Sequence, residues 1–352
     1  MTEAEDRNGS GVPHRQVEMI QVSEDDAGMR LDRWLRRRRP GLTQGRAEKL
    51  LRTGQVRVDG RRAKSAQRLE TGQTVRLPPE SDAEDAVAQA RKAGPGRAQA
   101  YRADPRDGAA LRQMILHEDE MVLALAKPIG LAVQGGSGVK RHLDGMITAL
   151  YGEDPDRRPK LVHRLDRDTS GVLLLAKTGK AARQLTAAFK GREARKVYWA
   201  LVVGQPPEVE GRISAPLAKV PGPKGERMEV NLDIGDRAVT DFRMIDKALD
   251  RFTWLEMRPL TGRTHQLRVH CQQMGTPILG DGKYGGLDAL EEAGDLTKRL
   301  YLHARGLVLP HPAGGWLRVA APAPADYLKT LKYLGFAPGD APDPFEDWTA
   351  LP

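Results

Sequence analysis

From Ala109 onward the chain is written in short apolar runs: "QMILHEDEMVLALAKP", "GVLLLAKT", "KVYWALVVG", "FTWLEMRPL" and "RGLVLPHP". Each has the length of a strand, and Val172 to Ala176 are apolar without interruption, the pattern of a strand covered on both faces. Helical spacing intervenes only at about 141–151, 179–190 and 263–274. Strands that dominate and do not alternate regularly with helices favour an α+β fold over a doubly wound parallel sheet. No stretch of 18 or more apolar residues occurs, which argues against a membrane span. The polar, acidic start "MTEAEDRNGSGVPHRQ" lacks a secretory pattern, and the lone Cys271 excludes an internal disulfide framework. A reducing compartment, the cytoplasm, is the expectation.

Ahead of these strands lies a segment of different character. Residues 30–78 hold 15 Lys and Arg against four Asp and Glu, a local balance of +11 where the whole chain carries +9. The remainder is therefore slightly acidic, and the positive charge belongs to one module suited to a polyanion. Leu31, Trp34 and Leu35 share one helical face, and Pro40 with Gly41 is the expected stop. Ala47, Leu50 and Leu51 form a second stripe ended by Gly54. "VRVDG" predicts a turn at Asp59-Gly60, and "TVRLP" a last short strand. The expected organisation is a disordered tail at 1–15, a basic module at 16–79 and an Ala-, Gly- and Pro-rich linker at 80–108. A larger domain at 109–330 and a surface tail at 331–352 with a short helix near "YLKTLKYLG" follow.

The densest concentration of charge beside an apolar run is "HRLDRDTSGVLLLAKT" at 163–178. Loop ends beside buried strands are where rigid scaffolds present reactive groups. The pattern alone leaves two readings: a reactive Asp166, or an aspartate capping a turn with Arg164 and Arg167 as ordinary surface charges. In "KVYWALVVG" the alternation puts Val197, Trp199, Leu201 and Val203 on one face, so Tyr198 points toward a cleft or solvent. In "TGRTHQLRVHCQQMG", Leu267, Cys271 and Met274 form an apolar helical stripe, with Arg268 at its edge. His265, His270, His303 and His311 lack the spacing of a zinc site, and no metal is expected. "AKTGKAARQ" and "QGGSG" lack the context of phosphate or dinucleotide loops, so no cofactor is expected either.

The segment at 163–178 resembles the signature of the RluA-type pseudouridine synthases, which isomerise uridine in structured RNA. "LALAKPIGLAVQGGSG", "KVYWALVVG", "RPLTGRTHQLRVH", "LGDGKYG" and "LHARGLVLPHP" resemble further family blocks in the expected order, covering most of 111–320. The basic module is similar to the RNA-binding domain first seen in ribosomal small-subunit protein S-four. The resemblance implies a catalytic domain with a central mixed, largely antiparallel sheet. It also implies a large-subunit (23S) ribosomal RNA or a pre-ribosomal particle as partner, with the protein monomeric and free of membrane.

It implies roles as well. Asp166 matches the essential aspartate, which attacks the sugar covalently or removes a sugar proton to give a glycal-type intermediate. Arg268 matches an arginine that pairs with this aspartate, and Tyr198 the tyrosine that packs on the target base and can assist proton transfer. Arg164 matches the arginine that fills the space of the extruded nucleotide. Arg30, Arg33, Arg46, Lys49, Arg52, Arg57, Arg61, Arg62 and Lys64 are the expected RNA contacts of the basic module. The competing reading is a catalytically silent, ribosome-associated RNA-binding or assembly factor. A glycosidase would need a second carboxylate about 5–10 Å from the first, where the motifs supply arginine and tyrosine.

Overall fold

The computed structural model describes residues 17–39, 42, 44–79, 104–136, 139–152, 154, 157–222, 225–286, 289, 296 and 298–346. The chain divides into two compact units at about residue 100.

The first unit orders its elements as β1 (Glu18–Gln21), α1 (Leu31–Arg38), α2 (Gln44–Arg52), β2 (Arg57–Val58), β3 (Arg61–Arg62) and β4 (Thr74–Leu77). The four strands pair antiparallel in the order β1-β4-β2-β3. The predicted turn is present: Asp59 and Gly60 both take positive φ (48° and 75°), as a tight hairpin of this twist requires. Leu31, Trp34, Leu35, Ala47, Leu50 and Leu51 close onto the sheet as one core. Gly54, at φ 71°, follows α2 as expected, whereas the Pro40-Gly41 stop lies outside the described residues.

The second unit contains α3 (Pro105–Met114), β5 (Ile115–Glu118), β6 (Val122–Lys127), α4 (Leu143–Met146), α5 (Thr148–Tyr151), β7 (Lys160–Leu161), β8 (Ser170–Ala176) and α6 (Gly179–Gly191). It continues with β9 (Arg195–Val203), β10 (Glu210–Ser214), β11 (Leu217–Gly222), β12 (Gly225–Val230), β13 (Val239–Ala248) and β14 (Phe252–Pro259). The last elements are α7 (Gln266–Gln273), β15 (Leu302–Pro310), β16 (Trp316–Ala320) and α8 (Ala325–Tyr333). Ten strands form one sheet along the path β10-β13-β14-β9-β15-β8-β6-β5, with β16 on β15 and β7 on β8. β11 and β12 form a separate hairpin. Among the described strand pairs of this sheet only β15–β8 is parallel, so the sheet is mixed and largely antiparallel, as expected.

The apolar run in β8 has a direct cause. Val172, Leu174 and Ala176 pack on one side against Ala181, Leu185 and Ala188 of α6. Leu173 and Leu175 pack on the other against Leu111, Leu143 and Met146. Burying each of these leucines contributes about 1.5–3 kcal/mol. β8 is thus pinned in the middle of the sheet, and the segment entering it is held at one end. Gly171 is where that entry is tightest: its φ is 117°, and a Cβ there would lie 2.1 Å from the Ala304 carbonyl oxygen.

Two expected boundaries move. The expected linker lies largely outside the described residues, but its end does not. Asp104 and Asp107 form a reciprocal capping box at the start of α3, and Leu111 is fully buried, so this helix belongs to the second unit. The expected tail after 330 also packs: Leu331 and Phe336 enter the core around Trp254, and Gly306 faces Pro344. The expected disordered tail at 1–15 lies outside the described residues.

Candidate active site

Asp166 sits in the loop leading into β8, and that loop is tied down residue by residue. Leu165 is buried in the core below it. The Thr169 amide donates to the Asp166 carbonyl at 3.2 Å, and the Gly130 amide to that of Arg167 at 2.9 Å. Lys127, at the end of β6, is almost fully buried, and its Nζ donates to the carbonyls of Pro128 (2.9 Å), Leu131 (2.9 Å) and Arg167 (3.0 Å). All three of its donors are used, which makes Lys127 a clamp between two loops. Burial lowers its pKa to about 8, against the opposing pull of Asp168 and Asp166. On the other flank His163 accepts the Leu174 amide through Nε2 at 2.8 Å and stacks on Phe189 at 4.3 Å. An acceptor nitrogen must be unprotonated, in keeping with burial depressing this imidazole to about 3.

The Asp166 carboxylate, one-third exposed, opens onto a cavity of about 640 Å³. Tyr198, His265, Arg268, Lys196 and Arg164 also line it. Tyr198 is half-buried on β9, facing the cleft as the alternation predicted. Burial first, and then the charge of Asp166, raises its hydroxyl well above the ordinary tyrosine range, so it is a hydrogen-bond donor and a flat apolar surface, not a base. Arg164 is exposed at the cavity, with no hydrogen bond or ion pair to any described residue. Arg167, by contrast, donates Nε to the Gly130 carbonyl at 3.1 Å.

Arg268 departs from the expectation. It lies beside Asp166 and interacts with it electrostatically, but its guanidinium fork closes on Asp281, with Nε and Nη2 each 2.7 Å from a carboxylate oxygen. No contact within 4.0 Å joins it to Asp166 among the described residues. The reason is burial. Asp281 is 1% exposed and needs its charge matched, and it also accepts the Lys283 and Tyr284 amides at 3.0 Å. The guanidinium carbon lies 5.0 Å from the centre of the Tyr284 ring, a cation–π contact.

The basic side chain nearest Asp166 is instead His265, whose Nε2 is 3.8 Å from Oδ2 and whose pKa burial lowers, which favours the neutral imidazole. His265 takes a left-handed backbone, φ 53°, at the start of α7. Its Nδ1 meets the Tyr284 hydroxyl at 2.7 Å, and that hydroxyl accepts the Met228 amide at 3.2 Å. A hydroxyl already accepting directs its proton onward to Nδ1, which leaves the His265 N–H on the side facing Asp166.

Lys127, Asp281, His265 and Tyr284 do not stand out as site residues from sequence, although each lies in a segment that carries the family resemblance. Only Lys127, at the end of the apolar run "VLALAK", is marked as a polar residue set among apolar ones. The other histidines go to separate partners: His270 to Thr240 and Ala215, His303 to Ser170 and Ala321, His311 to Asp119. Among the described residues no cluster of three or more His, Cys, Asp or Glu could hold a metal ion. No helix among them is long and apolar enough to cross a membrane.

In the first unit Arg33, Lys49, Arg52, Arg61, Arg62 and Lys64 are exposed and Arg46 is half-buried. Arg30 and Arg57 are exposed too, but Arg30 is engaged by Asp32 at 2.7 Å and Arg57 by the Gly54 carbonyl at 3.2 Å. A shallow groove lined by Glu48, Lys49, Arg52, Lys64 and Ser65 runs between α2 and the segment after β3. Sequence pattern gives no sign of the part played by Asp26, which is buried and accepts Trp34 Nε1 (2.9 Å), Arg37 (2.9 Å) and Arg38 (2.8 Å), fixing the direction of those two arginines of α1.

Residues 121–273 match the family described as RNA pseudouridylate synthase, and residues 29–75 match the S4 domain. The chain is 38% identical over 322 residues to the ribosomal large subunit pseudouridine synthase C of Vibrio parahaemolyticus, spanning 90% of this chain and 96% of that protein. The protein of the same name from Salmonella typhi is 38% identical, with 90% and 97% covered. The solved structure of human RNA pseudouridylate synthase domain containing 4 superposes with a TM-score of 0.55 at 27% identity, over 66% of this chain and 96% of that one. The chain belongs to the RNA pseudouridylate synthase family and is an RNA pseudouridine synthase with an S4 domain ahead of its catalytic unit.

Proposed function

We propose that this enzyme isomerises uridines of large-subunit ribosomal RNA to pseudouridine in the cytoplasm, as a monomer, with Asp166 as the reacting carboxylate and without a cofactor. The observation that carries this reading is the placement of Asp166: a partly exposed carboxylate on a clamped loop, facing a cavity shared with Tyr198, His265 and Arg268. The names of the bacterial relatives support large-subunit ribosomal RNA as the substrate.

The reaction breaks the bond from the sugar C1′ to uracil N1, turns the base, and joins C1′ to C5; C5 loses its proton and N1 gains one, so the product is an isomer of uridine. No electrons are gained or lost, so no redox partner is required. Both routes open to a carboxylate, attack at the sugar or removal of a sugar proton, begin with ionised Asp166. His265 presents its N–H toward that carboxylate from across the cavity. Tyr198 supplies a surface for the base and a hydroxyl that stays protonated. Arg164, free of protein partners among the described residues, takes the space left by the extruded nucleotide. The basic module docks on phosphates and positions the catalytic unit without selecting the base.

The test is to map pseudouridines in ribosomal RNA from cells lacking this protein, complemented with the parent or with Asp166→Asn. Sites lost on deletion and restored by the parent alone support the reading. An unchanged large-subunit map overturns the substrate, and restoration by Asp166→Asn overturns the role of the aspartate.

A further inference from the structure

The cavity holds a second lysine whose situation is the reverse of Lys127. Lys196 lies on β9 two residues before Tyr198, so the two side chains leave the same face of the strand. Its Nζ lines the cavity and donates to a single protein acceptor, the Thr261 carbonyl at 3.0 Å. Among the described residues no carboxylate lies within 4.0 Å of it. The other charged groups around the cavity are cations, Arg164, Lys190, Arg263 and Arg268, apart from Asp166. Two of these are committed, Arg263 to Asp236 at 3.1 Å and Arg268 to Asp281.

Lys196 is half-buried, and an ammonium drawn partly out of water without a counter-ion is unfavourable to the fold. A methionine could fill the same volume without that penalty. Burial already pulls Lys196 down to about 8. A lysine in this position, with two of three donors unspent, is matched to a negative group that arrives with the substrate. RNA brings one such group at every linkage, and a base does not.

Resting on the reading that an extruded uridine enters this cavity, we propose that Lys196 binds a single phosphate beside the target nucleotide and so sets the sugar's position over Asp166. One end of the β9 face then holds the backbone while Tyr198, two residues on, holds the base. The residue is a binding group for the substrate and takes no part in bond breaking.

The experiment uses the full chain and a short synthetic RNA carrying a uridine that the parent converts. Each linkage flanking that uridine is replaced in turn by an uncharged methylphosphonate. Parent, Lys196→Met and Lys196→Gln are compared by kcat/KM, the glutamine keeping a donor for Thr261. One linkage should cost the parent roughly 10- to 100-fold, the scale of a hydrogen bond to a charged group. Lys196→Met should lose a similar factor on unmodified RNA and nothing further, within about twofold, when that linkage is neutralised. The proposal is overturned if every linkage affects parent and both variants equally, or if Lys196→Met and Lys196→Gln stay within about twofold of the parent on unmodified RNA. Conversion by the parent and its loss in Asp166→Asn report separately on the isomerase reading.

Discussion

Removing the Asp281 carboxylate should damage this enzyme through the Arg268 it holds. Asp281 is 1% exposed and accepts four hydrogen bonds, two from the Arg268 fork at 2.7 Å and two from backbone amides at 3.0 Å. Asp281→Ala leaves a buried guanidinium without a contacting carboxylate, and breaking a buried pair from one side costs about 3–5 kcal/mol. In a domain of roughly 250 residues each kcal/mol lowers Tm by about 2–4 °C, so the expected fall is roughly 6–20 °C. Calorimetry on the full chain would follow the transition of the catalytic unit. Arg268→Met should be destabilising too. The double variant should be far less so than the sum of the two, because neither charge is then stranded. Asp166→Asn is the control: its nearest basic side chain, His265, is 3.8 Å away and no side chain forks onto it, so its cost should stay within about 0.5 kcal/mol. If Asp166→Asn proved as destabilising as Asp281→Ala, or the two single effects simply added, the assignment of Arg268 to Asp281 would be refuted.

Three further outcomes are expected. A chain beginning near residue 101 should bind RNA more weakly and with a shallower salt dependence, by about 0.7–0.9 in log–log slope for each phosphate that the basic module no longer neutralises; an unchanged slope in a salt titration would remove the docking role from that module. His303 is 1% exposed and burial depresses it to about 4, so the unfolded chain takes up a proton here first as pH falls below about 6.5. The stability tied to its neutral form is complete above that pH and is lost on the way down to 4, by about 2 kcal/mol at pH 5. His303→Gln, which can still accept from Ser170 and donate to Ala321, should flatten this part of the denaturation profile, and an unaltered slope would contradict it. Gly171→Ala should prevent β8 from meeting β15, so wild-type levels of folded protein in an expression and melting assay would show that the 2.1 Å approach is not constraining.

The parts legible in the sequence are those whose pattern is local. The β8 strand is visible there because both of its faces are buried, which removes the polar alternation. Tyr198 can be placed toward a cleft because a strand repeats every two residues. β10 escapes such a reading because its burial alternates between exposed and half-buried, a weak signal beside the core strands. The packing of residues 331–346 is hidden because Pro and Asp are frequent in that stretch, while Leu331 and Phe336 join a core built mostly from residues far away in sequence, such as Trp254. Helical geometry places Arg268 at a core edge, but its partner sits 13 residues along, beyond the end of α7. Lys127 and Lys196 read alike as lysines at the ends of strand-like runs. Only the three carbonyls around one and the single carbonyl beside the other separate a clamp from a binding group.

The most direct test of the role of Asp166 is release of tritium from RNA labelled at uracil C5, measured in a single turnover with excess enzyme. Asp166→Asn should release none above background while its RNA affinity stays within about twofold of the parent, because the substitution preserves shape and removes the reacting charge. Release within tenfold of the parent rate would contradict the assignment of the chemistry to this carboxylate.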